Sequence, residues 1–201
     1  EIDQAIREQL DRVAHTTLLG LSSPPSIELA RRLAALAPGD LNRVFYSDSG
    51  STAVEAALKI AFQYHRQKPR PEPDRTVFVA LAEAYHGDTL GSVSVGGMEL
   101  FHETYRPLLF PVERVPAPHC YRCSLGLSRP SCGLKCADVM EATLDRLGGR
   151  AAAMIVEPLV QGAAGMLVHP EGYLARVRRA CDRVGALLIA DEVAVGFGRT
   201  G

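Results

Sequence analysis

Apolar residues recur along the chain in two rhythms. Between residues 27 and 37, Ile27, Ala30, Leu33, Ala34 and Ala37 fall at helical spacing behind Pro24-Pro25, which predicts a helix closed by Pro38-Gly39. Val54, Ala57, Leu58, Ala61 and Phe62 repeat that spacing, with Thr52 and Glu55 placed for a capping box at the helix start. Tyr173, Leu174, Val177 and Cys181 mark another helical face, closed by Gly185, and a further helix is expected over about 138–147. The second rhythm is a set of short unbroken apolar runs at 44–46, 76–82, 152–156 and 186–190. None alternates with polar residues. Each therefore reads as a strand buried on both faces and covered by intervening helices, the pattern of an α/β fold with a parallel or mixed sheet. Residues 107–136, rich in Pro, Cys and Arg, fit neither rhythm and read as an irregular excursion.

Length and composition narrow the class. The 201 residues suit one domain, or one and a part, and can bury a sizeable core. A hydrophobic content of 47% with 22% charged residues excludes a disordered chain. No run of about 18 apolar residues and no basic start before an apolar stretch is visible, so neither a transmembrane helix nor a secretion signal is expected, and a cytoplasmic location is. The net charge of −1 offers no bulk electrostatic attraction for nucleic acid or a membrane surface. The chain opens at Glu1 and stops at Arg199-Thr200-Gly201, just past an apolar run and an acidic pair. It reads as an internal piece of a longer protein: a helical segment at 1–40 leading into part of a larger domain at 41–201.

In open α/β sheets, ligands gather at the carboxyl ends of strands. Asp48, Gly50, Ser51 and Thr52 follow the first expected strand, Tyr85, His86 and Asp88 the second, Glu157 and Gln161 the third, and Asp191 and Glu192 the fourth. Gly50-Ser51-Thr52 lies between a strand and a helix N-terminus, where free N–H groups and the helix dipole suit a phosphate. The same residues also suit simple capping by Ser49, Ser51 or Thr52. Neither GxGxxG nor GxxxxGK[ST] is present, so dinucleotide and Walker-type sites are not indicated. Tyr85 can stack on a flat ligand or pack on the sheet rim. Asp191 closes an apolar strand, where a carboxylate is costly unless paired with a ring N–H⁺ or an Arg. For Glu157 a structural ion pair is the simpler expectation.

Phosphate, flat ring and ring cation together suit pyridoxal phosphate. Ser47-Asp48-Ser49-Gly50-Ser51-Thr52-Ala53-Val54-Glu55-Ala56-Ala57, Ala84-Tyr85-His86-Gly87-Asp88-Thr89-Leu90-Gly91 and Asp191-Glu192-Val193-Ala194-Val195-Gly196-Phe197-Gly198-Arg199-Thr200-Gly201 resemble class III pyridoxal-phosphate-dependent aminotransferases. The resemblance covers essentially the whole chain. It implies part of a fold-type I large domain, with the small C-terminal domain missing, in a protein that acts as a homodimer. It places Gly50 and Ser51 at the cofactor phosphate, Tyr85 on the pyridine ring, Asp191 at the pyridinium nitrogen and Val193 on the other ring face. His86 and Glu157 also belong to the cofactor site, Glu157 as a support. Tyr85, Asp88 and Arg199 would contact substrate, Arg199 near a carboxylate. Within the family, Tyr85-His86-Gly87-Asp88-Thr89 with Val93-Ser94-Val95, and Glu157-Pro158-Leu159-Val160-Gln161-Gly162-Ala163, are most similar to the members of biotin synthesis. That implies amino transfer from S-adenosylmethionine to 8-amino-7-oxononanoate, giving 7,8-diaminononanoate. Another ω-aminotransferase or an aminomutase is the alternative within the family, and a zinc-binding structural or interaction module without catalysis is the alternative outside it.

Two features test this reading. Lys59, Lys68 and Lys135 are the only lysines, and none sits at a strand end. By resemblance, the lysine that forms the Schiff base falls beyond Gly201, so these residues alone would be inactive. The spacing Cys120-x2-Cys123-x8-Cys132-x3-Cys136 suits a structural Zn²⁺ or an iron–sulfur cluster, against free thiols or disulfides. His119 is expected in solvent and Cys181 in the core.

Overall fold

The computed structural model describes residues 1–200, apart from the side chain of Phe101. Two compact units emerge, residues 1–46 and the remainder from Ser47. The first holds helices α1 (Ile2–Arg12) and α2 (Pro24–Leu36). Pro24 sits at the start of α2, where its missing N–H is no loss, and Ser23 with Ser26 forms a capping box. The Tyr46 hydroxyl donates to the Ser26 carbonyl at 2.5 Å. Residues 44–46, expected as a strand, pair with no other strand among the described residues. A strand needs a ladder partner, and this unit contains no other strand.

The second unit is a parallel sheet sandwiched by helices. In chain order it runs α3 (Gly50–Gln67), β1 (Val77–Leu81), α4 (Leu90–Val95), α5 (Glu99–His102), a 3₁₀ turn (Glu103–Leu108), β2 (Val112–Val115), α6 (Lys135–Leu147), β3 (Ala151–Val156), β4 (Val160–Gln161), β5 (Leu167–Val168), α7 (Tyr173–Val184) and β6 (Leu187–Ala190). The strand order is β2-β1-β3-β6, all parallel, and β4 and β5 form a small antiparallel ribbon. Val79 pairs with Met154, and Met154 with Leu188.

The unbroken apolar runs have the structural consequence expected of them. Along β1, Val79 and Leu81 face one core with Met154, Val156, Met140, Leu144 and Val177, the last three from α6 and α7. Phe78 and Ala80 face a second core with Ile155, Val54, Leu58 and Val95, the last three from α3 and α4. Period-two side-chain geometry thus fills both faces of the central strands. The edge strand β6 is different: its residues are half-buried to exposed. Polar pins cross the layers. The buried Arg75 donates to the carbonyls of Ala151 and Val184, each at 2.8 Å, and pairs with Glu72. His65 on α3 donates from Nε2 to the Ala152 carbonyl at 2.8 Å, and burial lowers its pKa.

Two boundaries differ from the pattern-based expectation. The stretch 107–136 is not wholly irregular, because Val112–Val115 forms β2. Its adjacent polar residues Glu113 and Arg114 suit an edge strand and not one buried on both faces. Helix α3 begins at Gly50, and its capping box is Ser49 with Thr52 rather than Thr52 with Glu55. Glu55 instead turns inward, accepting from the Gly91 N–H at 2.6 Å.

Candidate active site

The carboxyl ends of the parallel strands and the N-terminus of α3 enclose a cleft of ≈ 540 Å³. Gly50, Ser51, Tyr85, His86, Asp88, Glu157, Asp191 and Val193 all line it. Arg199 does not line it, nor do Asp48, Thr52 or Glu192.

At one end, Ser49 caps α3 and leaves the Gly50 and Ser51 N–H groups without intrahelical acceptors, as every helix start must. The Ser51 hydroxyl donates to Thr89 Oγ1 at 2.9 Å and accepts from the Thr89 N–H at 3.1 Å, and Ser92 joins the cluster at 3.2 Å. Gly87 makes this possible. Its φ is +113°, and a Cβ there would stand 2.6 Å from Ser51 Cβ and 3.0 Å from Ser51 Cα. Gly50 is likewise packed against Val193, whose Cγ2 would lie 2.6 Å from a Cβ.

At the other end, Asp191 follows β6 and extends the ladder by donating its N–H to the Val156 carbonyl at 2.8 Å. Its side chain is 7% exposed. Oδ2 lies 2.7 Å from His86 Nδ1, and Oδ1 accepts from the Val193 N–H at 3.2 Å. Among the described residues, the side chain that meets this carboxylate is thus a histidine, His86, and not an Arg. That partnership had no local signal, since the two residues lie 105 positions apart. The other ring nitrogen, His86 Nε2, is buried without a hydrogen-bond partner among the described residues.

Between these ends stand Tyr85 and Glu157. The Tyr85 hydroxyl donates to Asp88 Oδ2 at 2.9 Å, which raises the phenol pKa. Glu157 has backbone partners rather than an ion pair: Oε1 accepts from the Tyr85 N–H at 3.2 Å and Oε2 from the Gly162 N–H at 2.8 Å. Burial pushes its pKa up, and the two N–H donors pull against that shift. The nearby Gln161 donates to the Ala82 carbonyl at 3.0 Å. Thr89, Gly162 and Ala163 also line the cleft. Of these, Thr89 could have been foreseen from its place as the cap of α4 directly after the Tyr-His-Gly-Asp turn.

The lysines stand elsewhere. Lys59 lies on the exposed side of α3, Lys68 pairs with Glu72 at 2.7 Å and Lys135 with Asp138 at 3.2 Å. Cys120, Cys123, Cys132 and Cys136 line a separate cavity of ≈ 20 Å³ together with His119, and all five cysteines are free thiols. His119 is thus half-buried rather than in solvent. Among the described residues, no three His, Cys, Asp or Glu side chains stand as a metal ligand set. Cys181 lies in the core, and burial pushes its thiol pKa to about 11.

The family model for Aminotransferase class-III matches residues 1–201. The chain belongs to the class III aminotransferases. It is 64% identical over 200 residues to the adenosylmethionine-8-amino-7-oxononanoate aminotransferase of Nitratidesulfovibrio vulgaris, an alignment that covers 100% of this chain and 37% of that protein. The crystal structure of the enzyme of that name from Methanocaldococcus jannaschii superposes with a TM-score of 0.89 at 39% identity, covering 99% of this chain and 42% of that one. A PLP-bound amine transaminase from an uncultivated Pseudomonas species gives a TM-score of 0.88 at 40% identity, covering 98% and 45%. The class III chain described here thus spans about two fifths of the length of these relatives. Its α/β sheet is that of the PLP-dependent transaminases.

Proposed function

We propose that the cleft holds pyridoxal phosphate and that the whole protein moves an amino group from S-adenosylmethionine to 8-amino-7-oxononanoate, yielding 7,8-diaminononanoate. One observation carries the cofactor reading: the single cleft joins an anion cradle at the start of α3 to a buried carboxylate, Asp191, at the end of β6. A ligand with a phosphate at one end and a protonated ring nitrogen at the other meets both. Gly50 and Ser51 would hold the phosphate with their N–H groups and the Ser51 hydroxyl. Asp191 would pair with the ring N–H⁺, an interaction that offsets the cost of its burial. Tyr85 and Val193 would flank the ring. When bound, the cofactor supplies an electron-withdrawing ring that eases removal of a proton from the amino substrate.

The chain's own residues then have distinct tasks. His86 holds Asp191 in place through Oδ2 and the Val193 N–H through Oδ1, so that the carboxylate is fixed at the cleft wall. Glu157 ties the Tyr85 backbone to the Gly162 turn, so the stacking ring and the cleft wall move as one. Asp88 orients the Tyr85 hydroxyl and presents negative charge at the cleft mouth, which suits a cationic amino donor. Arg199 would meet a substrate carboxylate from outside the cleft seen here. The amine that anchors the cofactor and moves the proton would come from a lysine outside residues 1–201, because no lysine of this chain lines the cleft. The proposal includes a homodimer in the cytoplasm, with residues 41–201 as part of the large domain and residues 1–40 leading into it. No helix among the described residues is long and apolar enough to cross a membrane.

The donor and acceptor rest on the 64% identity to the Nitratidesulfovibrio protein. Assay of the full-length protein with S-adenosylmethionine and 8-amino-7-oxononanoate tests them. Formation of 7,8-diaminononanoate is expected. Turnover only with other amine donors and keto-acid acceptors would instead make it a different ω-aminotransferase.

A further inference from the structure

Residues 116–134 join β2 to α6 without any helix or strand. Connections of this length are uncommon in compact domains unless something orders them. Hydrogen bonds to the rest of the fold do not. Among the described residues, every hydrogen bond made by this stretch closes within four positions along the chain, as from Gly126 to Cys123, Cys132 to Ser128 and Gly133 to Pro130. Apolar anchoring is confined to its ends, where Ala117 is buried and Leu134 packs on the core, while Tyr121 between them is 87% exposed.

What converges inside the stretch is sulfur. Cys120, Cys123, Cys132 and Cys136 line one cavity of ≈ 20 Å³, a space that suits a single small ion or water rather than a multi-iron cluster, since about 10–15 Å³ already admits one water. The two close pairs, with two and three residues between their members, bracket a loop as structural tetrathiolate ligands do. Next to Cys136, in the core it packs against, the Tyr173 hydroxyl is fully buried and has no hydrogen-bond partner among the described residues. Such a donor is what a metal-bound thiolate takes up. The thiols do not stand as a closed ligand set. Closure requires them to turn inward together, a movement open to a segment that no long-range hydrogen bond restrains.

We propose that Cys120, Cys123, Cys132 and Cys136 bind one zinc ion, which orders residues 116–134 as a structural staple apart from the active-site cleft. This inference stands on the cysteine cavity and does not depend on the amino-transfer reading. The test uses the full-length protein, purified without added metal or chelator. Elemental analysis is expected to find about one equivalent of zinc per chain, as a four-thiolate site requires. Cys123→Ser should lower that content at least about tenfold while pyridoxal phosphate content is unchanged, because the cleft shares no residue with the cavity. Cys181→Ala should leave the zinc in place. Should the Ser variant fail to fold, amide exchange of the unmutated protein with and without chelator serves instead, with faster exchange expected over residues 116–137 alone. Less than about a tenth of an equivalent of zinc, full zinc retention by Cys123→Ser, or exchange indifferent to the chelator would each overturn the proposal. Iron with acid-labile sulfide in place of zinc would overturn it as well.

Discussion

Replacing Gly87 with alanine perturbs the cleft at the point where its two halves touch. The residue sits at φ +113°, outside the region that L residues occupy readily, and the new methyl would meet Ser51 Cβ at 2.6 Å and Ser51 Cα at 3.0 Å. Rotating the Ser51 side chain relieves the first contact but not the second, so the start of α3 or the Tyr85–Asp88 turn must shift. Backbone strain and overpacking each cost about 1–3 kcal/mol, together about 2–6 kcal/mol. Gly126→Ala is the control. Its φ is +67° and nothing lies within 4 Å of the added carbon, so only the left-handed backbone cost of about 1–2 kcal/mol remains. Urea unfolding of both full-length variants measures the difference. Because Ser51 anchors the hydroxyl cluster with Thr89 and Ser92, Gly87→Ala should also weaken pyridoxal phosphate binding about tenfold or more, equivalent to about 1.4 kcal/mol. If Gly87→Ala falls within about 0.5 kcal/mol of Gly126→Ala and binds the cofactor normally, the close approach of the turn to Ser51 has no energetic consequence and the reasoning fails.

Two further outcomes follow from the fold. Burial without a hydrogen-bond partner drops the His169 pKa from 6.5 to about 4. Between those values the unfolded chain binds a proton that the folded state refuses, so stability falls as pH drops from 6.5 to about 4, by up to about 3 kcal/mol. His169→Phe, which keeps a ring against Tyr173, should flatten that part of the pH profile in urea titrations; an unchanged slope would show that His169 is not its source. Arg75→Met keeps the volume but removes the donors to the Ala151 and Val184 carbonyls. The buried Ala151 acceptor left unmet costs about 1–3 kcal/mol and the part-buried Val184 acceptor less, so a loss between about 1 and 5 kcal/mol is expected by denaturant midpoint, and a loss under about 0.5 kcal/mol would contradict the pinning role.

Much of the architecture was legible because burial on both faces leaves a plain mark. The runs around Val79 and Met154 contain no polar residue to spoil either core, so strand identity and helical cover could be inferred together. Pattern failed where a strand has a wet face or no partner. Val112–Val115 carries Glu113 and Arg114 because it is an edge, and residues 44–46 look like a strand but find no ladder. Helix α1 fell within the helical segment expected at 1–40 but was not given bounds of its own, although Ile2, Ile6 and Leu10 repeat every four residues. In the cleft, the residue types at strand ends pointed to Gly50, Ser51, Tyr85, Glu157 and Asp191, which the fold gathers around one volume. Their pairings did not show. The His86–Asp191 contact and the Ser51–Thr89–Ser92 cluster join residues whose separation only the parallel sheet removes. Arg199 lies outside the cleft lining although the motif places it near substrate.

The proposal that this cleft seats a protonated pyridine ring is tested most directly at Asp191. Asp191→Asn in the full-length protein keeps the shape and the hydrogen bond from Val193, but removes the charge that would hold a proton on the ring nitrogen. Steady-state amino transfer under saturating cofactor should show kcat lowered at least about a hundredfold, equivalent to about 2.7 kcal/mol of barrier, in a protein that still folds and still binds pyridoxal phosphate. Turnover within about threefold of the unmutated enzyme would make Asp191 a structural carboxylate and contradict the placement of the cofactor.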